Sequence, residues 1–308
     1  MIGVPLIIII FSILIGIYFP SYGKDLSPIV PFLQGALIFL SVIKVDFKEY
    51  KKCKLFIKPL SLGLITGYIF IPILFFLIGY LLLQLDIINL PLFVGIIITS
   101  VVPQAAGSSL IWAKELGGKI EIALLLVITT ILVSPFIAPL YIFLILKNEV
   151  NFDALSMFIQ MGLIIFIPVA ISFLVKKKLS RNLNPYLSFI IMGGIIYIAV
   201  SKSVERLDIV KGYLIISIIL SLILILLTLL FLIFTSRKLK LREDEKEAIF
   251  IPSFFKNISI AIIIVSFFSP EVVFFPVIYY IIEQLFSPLY YELKIKTKNK
   301  NNINLKLL

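Results

Sequence analysis

The sequence predicts an all-α integral membrane protein of ten transmembrane helices, arranged as an inverted repeat of five plus five with two crossed, discontinuous helices. Three observations support this fold class. Apolar residues make up 61% of the chain, and its mean hydropathy is +1.15. Basic residues concentrate in alternate loops between apolar stretches. Two proline-containing interruptions of apolar stretches begin 149 positions apart.

Ten apolar stretches are each long enough to cross a bilayer, which takes about 20 helical residues. In chain order they are Ile2–Phe19, Ser27–Ile43, Pro59–Leu83, Pro91–Ala113, Ile120–Leu146, Ala154–Val175, Pro185–Ser201, Val210–Thr235, Glu247–Phe268 and Glu271–Tyr291. The first is not expected to be a cleavable signal peptide, because no basic residue precedes it and no small-residue cleavage pattern follows it.

The basic residues give the expected orientation. Alternate ends of the spans carry 22 Lys and Arg residues, and the opposite ends carry five. Because cytoplasmic loops are the basic ones, both termini are predicted to be cytoplasmic and the protein to lie in the cell membrane. Five spans per half then insert the two halves in opposite orientations. The net charge of +11 belongs to these loops, so membrane lipid is the expected partner and nucleic acid is not.

The first interruption lies inside the fourth apolar stretch. Proline removes an N–H from the helix and glycine lowers the cost of unwinding. Freed backbone groups at membrane depth are tolerated only when they are buried in protein or line a wet cavity. The sequence therefore predicts a broken helix here, with five candidate binding residues: Pro103, Gln104, Gly107, Ser108 and Ser109.

The second interruption lies inside the ninth stretch and supplies the candidates Pro252, Ser253, Lys256 and Asn257. Adding 149 carries Pro103 onto Pro252, and Pro139 onto Pro288. The matches indicate an internal duplication; the alternative is chance recurrence of proline in an apolar chain. Paired broken helices are the best sequence indication of a secondary transporter's binding site, so the two breaks are predicted to cross near the midplane.

Two charged residues lie inside predicted spans, Lys256 in the ninth and Glu283 in the tenth. A charge at the bilayer centre costs at least ~2.5 kcal/mol, and such residues usually face the bundle interior and mark function. The alternative is a salt bridge between the two that only stabilises the bundle. Thr129 and Thr130 in span five either line the crossing region or make helix–helix hydrogen bonds.

The chain lacks the residues that a disulfide, a Cys/His metal site or an intramembrane enzyme would require. The chain has no histidine, and its one cysteine, Cys53, lies in a lysine-rich loop. A disulfide or a Cys/His metal site is therefore not expected. No membrane cysteine and no pair of intramembrane aspartates could act as nucleophile or metal ligand, so we do not expect an enzyme.

Beyond these patterns, the chain resembles the bile acid:sodium symporter family over nearly its whole length. The similar segments are Ile15-Gly16-Ile17-Tyr18-Phe19-Pro20, Val102-Pro103 leading into Gly107-Ser108-Ser109, Ala113-Lys114-Glu115-Leu116-Gly117, Ser134-Pro135-Phe136-Ile137-Ala138-Pro139 and Phe255-Lys256-Asn257-Ile258-Ser259-Ile260-Ala261. The order and spacing of these segments across the two halves support the resemblance more than any single segment does.

The resemblance implies a core domain with two crossed, broken helices, spans four and nine, and a panel domain of spans one, two, six and seven. It implies organic anion transport coupled to sodium by an elevator-like motion of core against panel. We accordingly expect residues 1–308 to form one membrane transporter unit. Repeat one would cover 1–150 and repeat two 151–293, followed by a basic cytoplasmic tail at 294–308.

The sodium-site positions depart from the family pattern. The first crossover ends Ser108-Ser109 where the family has Ser-Asn; the second has Pro252 for a glutamate and Lys256-Asn257 for Gln-Asn. Sodium prefers several oxygen ligands, and a fixed ammonium can replace a bound cation electrostatically. We therefore expect a secondary transporter of a small organic anion without a cofactor and without a sodium requirement. The anion would meet Lys256, Asn257, Ser108 and Ser109, and Lys256 could also couple transport to protons. The alternatives are a non-transporting sensor or scaffold on this fold, or a sodium-coupled bile-acid-type symporter.

Overall fold

The structure of the protein, a computed structural model, consists of helices joined by turns and short extended segments. The described residues are 3–43, 56–105, 108–147, 149–150, 152–179, 186–204 and 212–306. Within these ranges the helices are α1 (Gly3–Tyr18), α2 (Pro20–Asp25), α3 (Val30–Val42), α4 (Ile57–Ile65), α5 (Ile71–Gln84), α6 (Leu90–Val101), α7 (Ser108–Glu115), α8 (Ile120–Leu146), α9 (Ala154–Leu179), α10 (Tyr186–Ser203), α11 (Leu214–Lys238), α12 (Glu243–Phe254), α13 (Ile258–Val265) and α14 (Phe274–Lys306).

Three short elements complete the helical structure. 3₁₀ turns occupy Ser27–Ile29 and Pro270–Val273, and a π-helical turn over Thr66–Phe70 joins α4 to α5 without interrupting the rod. Single π-helical turns inside α-helices occur frequently at functional sites. This one lies beside the first broken helix, as described below.

The helices follow the predicted spans. α8 has the predicted bounds, whereas predicted spans four and nine are each divided into two helices, α6 with α7 and α12 with α13. Five helical segments are long and apolar enough to cross a membrane: Ile57–Gln84, Ile120–Leu146, Ala154–Val175, Leu214–Lys238 and Pro270–Lys294. The count of ten spans and their inverted repeat stay predictions.

Apolar side chains cover the outer faces of these helices. Phe32, Leu174 and Phe234 are 79%, 85% and 68% exposed. Large apolar surface of this kind would be an aggregation liability in water and suits contact with lipid. Together with the apolar helices, it marks the chain as a membrane protein.

Proline positions agree with the helix starts and with the internal match. Pro72 and Pro91 lie in the first turns of α5 and α6, where a missing N–H costs nothing. Asn89 caps α6 by accepting the Leu92 N–H at 3.1 Å. Pro139 and Pro288, 149 positions apart, both lie inside the long helices α8 and α14 that follow the broken segments.

The helices pack in two groups. In the four-helix group, α10 packs on α1 and α3, and α3 also packs on α9. The broken-helix group contains α4 to α8 and α11 to α14: α6 packs on α5, α8 and α14, while α12 packs on α4, α7, α8 and α11. The groups meet where α8 contacts α9, where α10 contacts the 3₁₀ turn at Pro270–Val273, and where α3 contacts α13.

Candidate functional site

The candidate site is formed where two helices stop and restart. α6 ends at Val101, and Val102 is extended with φ −67° and ψ 149°. α12 ends at Phe254, and Phe255 is extended with φ −74° and ψ 112°. Both breaks are buried, so the carbonyl and N–H groups that each helix end leaves unpaired must find partners within the protein.

The two breaks supply those partners to each other. Gln104 and Lys256 form an antiparallel bridge. On one side of it the Ala105 N–H donates to the Phe255 carbonyl at 3.1 Å, and on the other the Asn257 N–H donates to the Pro103 carbonyl at 2.9 Å. The two breaks therefore meet, as predicted, and the pairing satisfies backbone groups that would be costly to leave unpaired inside an apolar environment.

The unwound segments are shorter than predicted. Pro252 and Ser253 lie within α12 rather than in the break, and Ser108 and Ser109 form the first turn of α7. Gly107 lies outside the described residues. The two helices also end 153 positions apart, at Val101 and Phe254, and not 149.

The Lys256 side chain crosses from the second break to the first. It is 3% exposed, and its Nζ donates to the Ser100 carbonyl at 2.8 Å and to the Val102 carbonyl at 3.3 Å. These are among the carbonyls that the C-terminal end of α6 leaves without helical partners. A cation is stabilised there because that end of a helix carries partial negative charge. Two backbone oxygens thus hold the ammonium as they would hold a bound cation.

Glu283 also contacts the second break, but not through the Lys256 ammonium. Its Oε2 accepts the backbone N–H of Lys256 at 2.9 Å. The predicted alternative, a salt bridge between the two side chains, is wrong in this structure because the ammonium is directed to α6 instead. Glu283 is fully buried in α14, so it supports the break by satisfying a freed N–H.

Asn257 begins the second half of the broken helix, and Ser259, two residues later, connects it to the four-helix group. Its Oδ1 accepts the Ile260 N–H at 3.3 Å and the Ser259 hydroxyl at 2.6 Å, which caps α13. Gln34 of α3 donates from Nε2 to the Ser259 carbonyl at 3.0 Å. Gln34 was not among the candidate binding residues predicted from the sequence.

The first break is supported by α8 and by the π-helical turn. Thr130 Oγ1 lies 3.0 Å from Gln104 Oε1, and the Tyr68 hydroxyl donates to the Thr130 carbonyl at 2.5 Å. Gly67, beside Tyr68, leaves room for Gln104, since a Cβ there would lie 3.0 Å from Gln104 Nε2. Sequence reasoning found Thr130 but missed Tyr68, because no local signal announces a π-helical turn.

The remaining predicted residues make local contacts. The Thr129 hydroxyl donates to the Leu125 carbonyl of its own helix at 2.7 Å. The Ser109 hydroxyl, in the first turn of α7, donates to the Ala105 carbonyl of the first break. Ser253 Oγ is buried, and in the part of the chain that the structure describes it has no hydrogen-bond partner.

A cavity of about 180 Å³ lies between the two helix groups, next to α13. Polar side chains from the four-helix group face it, namely Gln34 and Gln160, with Lys202 near the end of α10. The wall from the broken-helix group is mostly apolar and includes Ile262 and Ile263. Because Gln34 also bonds Ser259, the cavity is connected to the second break through one side chain.

An apolar helical protein in which two broken helices bridge each other is a membrane protein with discontinuous spans, and breaks of this kind form ligand sites in secondary transporters. The chain matches the sodium bile acid symporter family over residues 31–243, more than half its length, and it belongs to that family. The family's members are membrane transporters. A search of curated proteins finds no match. The matched range includes the first break and ends before the second.

Proposed function

We propose that the protein is a secondary transporter that moves a small organic anion across the cell membrane by alternating access, without requiring sodium. The observation that carries the proposal is the Lys256 ammonium, held by the Ser100 and Val102 carbonyls at the end of α6. A fixed cation at the bridged breaks supplies the positive charge that a bound sodium would otherwise supply. Family membership supports transport of an anion of the bile acid type.

The cavity between the helix groups supports a binding place for that anion. Gln34 and Gln160 offer amide donors, Lys202 offers positive charge, and the opposite wall is apolar. Amphipathic organic anions need this combination of a few polar groups and apolar surface. In the proposal the anion lies against the C-terminal half of α13, at Ile262 and Ile263, and the four-helix group moves relative to the broken-helix group.

The orientation follows from the basic loops. With both termini in the cytoplasm, Lys202 lies toward the outside, so the cavity opens toward the outer face in this conformation. The same transporter would open to the cytoplasm when the contacts of α3 with α13 are exchanged for others. Breaking the Gln34–Ser259 hydrogen bond is part of that exchange, because it joins the two groups directly.

Uptake into proteoliposomes tests the proposal. Purified full-length protein is given labelled taurocholate, with labelled pyruvate as a small carboxylate, under an inward sodium gradient or an equal potassium gradient at matched membrane potential. Equal uptake under both gradients is expected. Failure to take up or bind either anion would refute anion transport.

One observation favours a second candidate, a sodium-coupled symporter of bile-acid-type anions. The family that the chain belongs to is described as sodium-coupled. The matched range, however, ends at residue 243, before Lys256 and Asn257. Accumulation that requires the sodium gradient would support this candidate and contradict the role given to Lys256.

A further inference from the structure

Glu283 is unusual among the acidic residues of the described chain because it is fully buried in the middle of a long helix. It is 0% exposed, and its helix α14 packs against α6, α11 and α13. Another buried glutamate, Glu247, forms a salt bridge with Lys294 near the cytoplasmic end of the bundle. Glu283 therefore stands at the crossover of the two breaks without an equivalent ion pair.

The contacts of Glu283 occupy one oxygen and leave the other open. Oε2 accepts the Lys256 N–H at 2.9 Å. Oε1 is buried and, in the described part of the chain, has no partner of hydrogen-bonding geometry, although the Gln284 side chain lies close to the carboxyl group. A buried carboxylate with so few donors is costly, whereas a protonated carboxyl group has no charge to compensate.

Few other ionisable groups face Glu283. Tyr279 and Tyr280 of its own helix are near, and Lys256 is the nearby cation. In sequence, α6 and α13 contain no ionisable residue, and α11 contains only Arg237 and Lys238, in its last turn. Of the other elements that touch α14, α1 carries Tyr18 at its end and the 3₁₀ turn before α14 carries Glu271. The helices α12, α5 and α7 also touch α14. Their ionisable residues are the charged run 243–247 at the start of α12, Tyr80 in α5, and Lys114 and Glu115 in the last turn of α7.

The net charge of Lys256, Glu283 and the bound anion determines which ion has to accompany the anion across the membrane. With Glu283 ionised, its charge and that of Lys256 cancel in the empty protein. Binding of a monovalent anion in the cavity beside α13 adds one negative charge near the crossover, which is expensive at membrane depth. A proton bound at Glu283 Oε1 compensates that charge, while Oε2 keeps the Lys256 N–H. The crossover and the bound anion together are then neutral, as the empty crossover is.

We infer that Glu283 is the proton-binding site of the transporter, which takes up one proton with each monovalent anion and releases it with the anion on the other side. The inference rests on the proposed function and adds the coupling ion to it. It assigns the proton to the carboxyl group of α14, and Lys256 stays an ammonium throughout the cycle.

Proton uptake on anion binding tests the inference in detergent-solubilised, full-length protein. Taurocholate is a suitable probe because its sulphonate stays ionised near neutral pH, so any proton taken up goes to the protein. In weakly buffered solution with a pH indicator, about one proton per bound taurocholate is expected. The Kd should rise about tenfold per pH unit on the alkaline side, as linkage of one proton requires.

Variants of two buried glutamates identify the group that takes up the proton. Glu283→Gln should lose both the proton uptake and the pH slope, whereas Glu247→Gln, a matched change at a buried glutamate away from the crossover, should keep both. Infrared difference spectra give a second readout that tolerates a poorly binding variant. A carboxylic C=O band should appear when taurocholate binds to the unaltered protein, and the band should shift in Glu283→Asp.

The outcomes separate this inference from the proposed function. Taurocholate or pyruvate binding with a pH-independent Kd and no proton uptake would refute Glu283 as a coupling site and leave anion transport standing. Proton uptake that persists in Glu283→Gln would also refute it, since another group would then carry the proton. If neither anion binds at any pH, the proposed function fails and the inference fails with it.

Discussion

Gln104 and Lys256 lie opposite each other in an antiparallel bridge, with a backbone hydrogen bond on either side, although 152 positions separate them in the chain. The bridge makes the ends of α6, α7, α12 and α13 one unit. The Lys256 ammonium strengthens that unit by bonding α6, and Glu283 strengthens it by accepting the Lys256 N–H. Any displacement of one half-helix should therefore carry the others with it.

Removing the Lys256 ammonium should destabilise the protein substantially. Lys256→Met keeps much of the side-chain volume but leaves the Ser100 and Val102 carbonyls without this donor, at about 1–3 kcal/mol for each carbonyl left unsatisfied. Thermal unfolding in detergent, followed by the fluorescence of Trp112, measures the change. Uptake should be lost in the same variant.

The same substitution at a surface lysine is the control. Lys246 pairs with the exposed Glu243 at 2.6 Å, and loss of such a pair costs about 1 kcal/mol or less. If Lys256→Met were no less stable than Lys246→Met, the ammonium would not be holding the two breaks together.

Asn257 should matter for transport beyond its value as a helix cap. Asn257→Ala removes the cap of α13 and the acceptor of the Ser259 hydroxyl, and Asn89→Ala removes the cap of α6. Each should lower the free energy of unfolding by about 0.5–2 kcal/mol. Only Asn257→Ala should reduce proteoliposome uptake strongly. Asn257 orders the turn that contains Ser259, and the Ser259 carbonyl accepts the hydrogen bond from Gln34 of the four-helix group. Equal uptake by the two variants would count against a role in transport.

Two glycine substitutions should act in opposite directions. A Cβ on Gly95 in α6 would lie 2.7 Å from the Val272 carbonyl oxygen, so Gly95→Ala forces the backbones apart at about 1–3 kcal/mol. A Cβ on Gly162 in α9 would be 3.8 Å from Phe166, and Gly162→Ala should stabilise its helix by about 0.5–1 kcal/mol. Unfolding temperatures would decide; a stabilised Gly95→Ala would show that α6 and the 3₁₀ turn are less tightly packed than described.

The predicted topology places Cys53 in the cytoplasm. Cys53, in a loop outside the described residues, should react with a membrane-impermeant maleimide in inverted vesicles but not in intact cells. In a Cys53→Ser background, Asp208→Cys lies in a loop of the opposite set and should react in intact cells. Labelling of both positions from one side would show that the span count or the orientation is wrong.

Much of the fold could be predicted from the chain because its causes are local. Apolar stretches of sufficient length form helices, and the basic loops between them are visible without a structure. The exact limits of the breaks could not be predicted from proline. Pro252 removes one helical N–H and restricts φ, yet α12 continues through it to Phe254. A helix stops where its freed backbone groups find other partners, and those partners lie on the other break.

The candidate site was predicted in part for the same reason. Intramembrane charge singled out Lys256 and Glu283, and the sequence suggested a direct ion pair as one alternative. Their contacts differ because the carbonyls at the end of α6 lie within reach of the ammonium, and this depends on how the helices are placed. Tyr68 and Gln34 gave no comparable signal, since an apolar helix with one tyrosine or glutamine is compatible with many contacts.

The sequence by itself determined the class of protein, the positions of the apolar spans, the expected orientation and the two interruptions, because hydrophobic burial and the charge of loops act over neighbouring residues. Only the tertiary structure decided that Gln104 faces Lys256, that the ammonium bonds α6, and that Glu283 receives a backbone N–H. The first two contacts join segments more than 100 positions apart, and the third joins a side chain of α14 to the backbone of the second break. Their geometry is set by packing between helices, which a local pattern of residues does not specify.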